Sequence, residues 1–228
     1  MLRNSCDSSC QGAMMQTLEQ RRMLSVAVVD GVLAVRGTDH ADHINVSVDH
    51  GQVNVTMNGH VRHFSLGDVL KLKIQAGSGN DVVGLDRSVR LNTMIDGGAG
   101  NDSMMGGFGH DDMVGGAGDD VLIGSGAADS MEGDGGNDDL FGGGGNDNLD
   151  GGDGNDDLHG GAGDDSLDGE GGHDNLEGGA GDDVASDQND NLDDEDANDH
   201  NDGVVNDDNH DGVDDTAEVV DPTPDAML

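Results

Sequence analysis

Between Gly97 and Ser186 an apolar residue returns at every ninth place: Met104, Met113, Leu122, Met131, Leu140, Leu149, Leu158, Leu167 and Leu176, then Ala185. Its two neighbours are mostly Ser, Asp, Asn, Glu or Val, so each copy holds one inward side chain between two outward ones, the period of a β-strand. The six residues before each strand begin with Gly and end with Asp in all ten copies, as in GGAGNDSMM, GGGGNDNLD and GGAGDDSLD. Glycine tolerates positive φ and close backbone approach, so this half of the unit reads as a tight turn with inward carbonyls. A unit of nine residues buries nothing alone, but stacked copies can share one thin apolar core, which predicts an all-β solenoid. Upstream, from Leu24 to Ile74, the alternation is that of ordinary strands. Val26–Val29 and Val32–Val35 flank Asp30-Gly31, while Ile44, Val46 and Val48, then Val53, Val55 and Met57, lead to Asn58-Gly59. Both dipeptides are favoured hairpin turns.

The acidic positions change the picture more than the apolar ones. The sixth place of the unit holds Asp102, Asp111, Asp120, Asp129, Asp138, Asp147, Asp156, Asp165, Asp174 and Asp183. Acid-rich composition raises the number of Asp residues but does not lock them to one phase of a period. The 228 residues carry a formal charge of −40, 41 Gly, three Phe and no Trp or Tyr. High charge with modest hydrophobicity ordinarily gives disorder, and bound cations are the way out of it. The same balance argues against nucleic-acid binding, which needs basic patches, and against adsorption to anionic membranes.

The unit GGxGxDxUx, with U a large apolar residue, resembles the RTX (hemolysin-type) calcium-binding nonapeptide repeat, a parallel β-helix motif. The resemblance implies a right-handed parallel β-roll with two nonapeptides per coil and several calcium ions between turns. One edge would carry Asp102, Asp120, Asp138, Asp156 and Asp174, and the other Asp111, Asp129, Asp147, Asp165 and Asp183. Beside this Asp column, the expected ligands are carbonyls of second- and fourth-place glycines: Gly98, Gly100, Gly107, Gly109, Gly116, Gly118, Gly143, Gly145, Gly152, Gly154, Gly161 and Gly163. Coils about 4.8 Å apart make each edge a ladder of carboxylates whose neighbours repel by about 0.8 kcal/mol in water, and more where the dielectric is lower. A calcium ion between rungs reverses that sign, since it accepts six to eight oxygens in flexible geometry. The copies are uneven: Ser125, Ala127, Asp134 and Glu170 stand where the pattern has glycine, and Ala185 where it has a large apolar residue.

Four regions are expected. Residues 1–23 form a flexible arm ending in LEQRRML (Leu18 to Leu24), which resembles the LEPRxLL-type segment of planctomycete exported and cell-surface proteins, with Gln20 in place of the proline. Residues 24–96 are a β-rich cap or degenerate coils, because Gly37, Asp42 and Ile44, and again Gly77, Gly79, Asp81 and Val83, echo the repeat spacing. A small separate β-domain is the alternative. Residues 97–186 are the β-roll, and 187–228 an acidic flexible tail. In the tail, Asp207, Asn209, Asp211, Asp215 and Glu218 fit an EF-hand-like loop over 207–218. Asp214 replaces its usual apolar eighth residue and no flanking helices are visible, so an isolated calcium loop and a disordered acidic tail both stand.

No run approaches a membrane span, and the apolar stretch after Arg21-Arg22 is short for a twin-arginine signal. Cys6 and Cys10 read as free thiols or a local disulfide. No HExxH, GxSxG, P-loop or dinucleotide fingerprint is present, so no active site is expected. The function expected is calcium binding by a roll that folds on the ion outside the cytosol, as a structural or adhesive component of the cell surface or matrix. The alternative is the C-terminal secretion module of an RTX protease or lipase.

Overall fold

The computed structural model describes residues 25–186. The chain forms a parallel β-solenoid of about six turns, whose strands lie in two nine-stranded sheets. The first sheet stacks β2 (Val32–Arg36), β6 (Lys71–Ser78), β8 (Asn92–Ala99), β10 (Asp111–Ala117), β12 (Ser130–Gly135), β14 (Asn148–Asp150), β16 (Ser166–Asp168) and β18 (Val184–Ser186). The second stacks β3 (His43–Asp49), β7 (Val82–Leu85), β9 (Ser103–Met105), β11 (Val121–Ile123), β13 (Asp139–Gly144), β15 (Asp157–Ala162) and β17 (Asn175–Ala180). Neighbours in both stacks are parallel, and from β8 on each residue pairs with the one 18 places later, as in Met113 with Met131 and Leu140 with Leu158. One coil is therefore two nonapeptides, one strand in each sheet.

The register follows from the pattern. Sliding one strand by a single residue would turn its inward apolar side chain outward and its mostly polar flanks inward. Met104, Met113, Leu122, Met131, Leu140, Leu149, Leu158, Leu167 and Leu176 are all buried, while Ala185 is only partly covered. The shorter side chain leaves the last coil less well closed.

The upstream end is built differently. β1 (Ser25–Val29) and β2 form an antiparallel hairpin, and β3, β4 (Gln52–Met57) and β5 (His60–Ser65) an antiparallel meander. Asp30-Gly31 and Asn58-Gly59 turn with both φ angles positive, at 51° and 79° and at 49° and 78°, as hairpins of this twist require. His50-Gly51 is a third such turn, with φ of 49° and 75°. The alternation on either side of it was visible in the sequence, but histidine in the left-handed region is a weaker signal than asparagine or aspartate. A short 3₁₀ turn, Leu66–Asp68, carries the chain from β5 back to β6. Among the described residues no helix is long and apolar enough to cross a membrane.

Candidate metal centre

Each sixth-place aspartate sits where a glycine turn enters a strand, and the fold buries it. Asp102 to Asp183 are between 0 and 6 % exposed. The backbone explains how so many carboxylates are held in line. Each Asp N–H donates to Oδ1 of the Asp one coil on: Asp102 to Asp120 (2.6 Å), Asp120 to Asp138 (2.7 Å), Asp138 to Asp156 (2.8 Å) and Asp156 to Asp174 (2.9 Å). On the opposite edge the chain runs Asp111, Asp129, Asp147, Asp165, Asp183, every bond 2.8 Å. The turn glycines admit this stacking. Gly116 has φ of 111° and a Cβ there would lie 2.1 Å from the Gly98 carbonyl oxygen. Gly98, Gly100, Gly118, Gly143, Gly145, Gly152, Gly161 and Gly163 also have positive φ; Gly107, Gly109 and Gly154 do not, but are as tightly packed on the preceding coil.

The second carboxylate oxygen is the chemically telling atom. Oδ2 of Asp102, Asp120, Asp129, Asp138, Asp147, Asp156 and Asp165 is buried and has no hydrogen-bond partner. An ionised oxygen in that position is strongly disfavoured unless a cation or donor meets it. A set of carbonyls faces the same place. A Cβ on Gly142 would lie 2.4 Å from Asp147 Oδ2 and 2.6 Å from the Gly160 carbonyl oxygen. The same pair recurs at Gly97, Gly106, Gly115, Gly124, Gly133 and Gly160, each time the carboxylate of its own unit and the first-place carbonyl one coil on. These first-place carbonyls were not among the positions singled out from sequence. Their signal was present, because the first place is glycine in every copy whereas the second and fourth vary.

The electrostatics agree. Burial pushes Asp138 and Asp129 up to about 7 and Asp120, Asp156 and Asp165 up to about 6; a backbone N–H bond opposes the shift and the carboxylate of a neighbouring rung adds to it. Asp102 and Asp147 are raised as well, chiefly by burial. Asp111, at the upstream end of its edge, accepts the Gly107 N–H on Oδ2 (2.7 Å) and leaves Oδ1 bare. Among the described residues no three His, Cys, Asp or Glu side chains converge on one point, so a bound ion would draw on backbone carbonyls together with the Asp column. An all-oxygen donor set mixing carboxylates and carbonyls fits calcium and not a transition metal.

A second ladder runs outside the first, through the fifth place of the unit. Asn155 donates its N–H and Nδ2 to Asn137 Oδ1, both at 3.0 Å, and Asn137 donates in the same way to Asp119 Oδ1 at 3.0 and 3.1 Å. These bonds hold Asp119 below the usual carboxylate range. The fifth place is Asn or Asp in seven of ten copies, a regularity that marks it as part of the turn and not as free surface. Asp207, Asn209, Asp211, Asp215 and Glu218, and the segment Leu18 to Leu24, lie outside the described residues.

Comparison with known proteins bears on the same segment. A family profile described as the RTX calcium-binding nonapeptide repeat (4 copies) matches residues 94–113, 114–149 and 150–185. No curated protein and no solved structure matches the chain. The match coincides with the stretch that carries the nine-residue period, the two-strand coil and the ladder of buried carboxylates, and residues 94–185 are therefore RTX calcium-binding nonapeptide repeats.

Proposed function

We propose that this chain is an exported structural or adhesive module whose roll is set by calcium outside the cytosol. RTX repeats bind calcium; the buried Oδ2 column supports the further step from binding to folding. With seven such oxygens lacking a partner, residues 97–186 hold 23 carboxylates and no Lys or Arg. Such a segment has no fixed positive charge to neutralise its ladder, so at neutral pH its compact form depends on cations from solution. Cytosolic calcium is low and external calcium high, which makes the chain extended before export and rigid afterwards. A rigid acidic roll of repeated coils suits a surface or matrix component.

Two measurements test this reading. Far-UV circular dichroism and size-exclusion chromatography in chelator should give an expanded chain with little array β structure, and millimolar calcium a compact β form. Magnesium should substitute poorly, since it requires near-octahedral geometry and sheds water reluctantly. An array already compact in chelator would overturn calcium-set folding. On intact cells, antibody against the array should label the surface; purely cytosolic antigen would overturn the location.

A further inference from the structure

The Asp ladder of one edge continues upstream of the repeats matched by the family profile. Asp102 Oδ1 is followed in the other direction by the Asp81 N–H (2.7 Å), and Asp81 Oδ1 accepts the Asp42 N–H (2.6 Å). Asp81 is a rung like those below it: 1 % exposed, with Oδ2 buried and unpartnered. Asp42 is equally buried, at 3 % exposure, yet neither of its oxygens is bare. Oδ2 accepts the Thr38 N–H (2.6 Å) and the Thr38 hydroxyl (2.9 Å). Oδ1, which has no further rung above it, accepts Asn58 Nδ2 (2.5 Å). Asn58 is fixed for this task by the β4–β5 turn, with φ of 49°, and its own Oδ1 accepts the His43 N–H (2.8 Å).

The surroundings differ in the same sense. Residues 25–85 bury 13 apolar side chains and two carboxylates, whereas 97–186 bury nine apolar side chains and ten carboxylates. In the first region six Asp are offset by four Lys and Arg; the second has 23 acids and no Lys or Arg, with His110 and His159 paired to the outward Asp112, Asp157 and Glu177. A segment with that core, that charge balance and three tight hairpin turns has what it needs to fold by itself.

We propose that the Asp42 rung is a cation-free terminus, in which Thr38 and Asn58 take the place an ion takes further down, and that residues 25–85 stay folded without calcium and template the array. β6 and β7 then present ready edges to β8 and β9. The first ion settles at the Asp81–Asp102 step, and coils add in order by nearest-neighbour contact, as solenoids grow. Without such a start, every coil would have to nucleate from a self-repelling chain. The proposal rests on the calcium-set folding of the array.

Hydrogen exchange read by mass spectrometry on the full chain, in chelator and in calcium, tests it. Amides of β2, β3, β4 and β6 should be protected in both conditions, and those of β11 to β18 only in calcium. Exchange of β2 to β6 in chelator as fast as that of β11 to β18 would overturn the template. Failure of calcium to protect β11 to β18 would instead overturn the folding reading on which it rests, so the two failures are distinguishable. Asn58→Gly keeps a residue suited to the turn and deletes the donor, and Thr38→Val deletes the hydroxyl at similar size. Together they should speed exchange of β3 and β4 in chelator at least tenfold and raise the calcium midpoint of the array several-fold. His50→Gly, at the neighbouring turn and away from Asp42, should change neither. A double variant that behaves like the parent in both readouts would overturn the role given to Thr38 and Asn58.

Discussion

The upstream end of this solenoid and its repeat array solve the same problem by opposite means. At Asp42 a buried carboxylate is surrounded by protein donors, Thr38 and Asn58. At Asp138 a carboxylate in the same place of the same motif accepts the Asp120 N–H on Oδ1 and has nothing on Oδ2. The first arrangement needs a specific side chain brought in from 16 residues away. The second needs only that the unit be copied, because every new rung supplies its own N–H and carbonyls and leaves the remaining charge to solution. Repetition is therefore compatible with an ion-dependent interior and poorly compatible with an individually tailored one. The difference teaches why the array is long and acidic and its upstream end short and apolar.

The largest expected effect comes from filling the space between rungs. Gly142→Ala would place a methyl 2.4 Å from Asp147 Oδ2 and 2.6 Å from the Gly160 carbonyl oxygen. We expect loss of calcium binding at that step and a split of the array into two separately titrating segments, read by isothermal calorimetry. An unchanged isotherm would show that this glycine does not face the ion. The upstream control, Gly51→Ala, has open space around its Cβ and bears only the strain of φ 75°, about 1 kcal/mol, with calcium uptake intact.

Core truncation comes next. Leu158→Ala in the array and Ile74→Ala upstream remove fully buried side chains, each worth about 2–5 kcal/mol. In calcium, Leu158→Ala should lower the stability of the array alone. Ile74→Ala should weaken the upstream region and, through the template, the array with it. Thermal melts followed by exchange at β4 and β15 separate the cases, and equal effects at both reporters in both variants would erase the distinction.

Acid sharpens the comparison through its sign. Asp138 and Asp129 are pushed up to about 7, and Asp120, Asp156 and Asp165 to about 6, by burial first. A carboxylate raised in the folded state takes up protons on folding, so its contribution is full below about pH 4 and lost as pH rises through 6 to 7. In chelator, lowering pH from 7.5 to about 4.5 should thus promote array β structure. In limiting calcium, protons and ions compete for the same oxygens, so calcium midpoints should rise on acidification. Circular dichroism that is flat with pH in chelator would contradict the burial of the column.

The smallest effects lie at the four irregular places. Ser125, Ala127, Asp134 and Glu170 keep the positive φ of the glycines they replace, at 89°, 138°, 70° and 58°. Ala127→Gly should stabilise the calcium-loaded array by about 1 kcal/mol. Asp134→Gly should add relief from Glu132, which Asp134 holds above the usual carboxylate range. Denaturant midpoints in saturating calcium measure both.

Much of this was legible in the residues. The eighth-place Leu and Met column, the sixth-place Asp column and the invariant glycine of the first place set strand length, turn position and one in-phase carboxylate per unit. They do so because a nine-residue unit has one inward strand position and one way to stack on its copy. The hairpins at Asp30-Gly31 and Asn58-Gly59 were equally readable, since their turn chemistry is local. What only the tertiary structure decided is which oxygen of each Asp is used and which is left over. It also showed that first-place carbonyls face the leftover oxygen, and that Asn58, in a hairpin turn, reaches Asp42 to end the ladder. Those facts depend on neighbours 16, 18 or 21 residues distant. The sequence specifies that such neighbours meet, but hydrogen-bond partners and buried charge are set by the distances between coils once they have met.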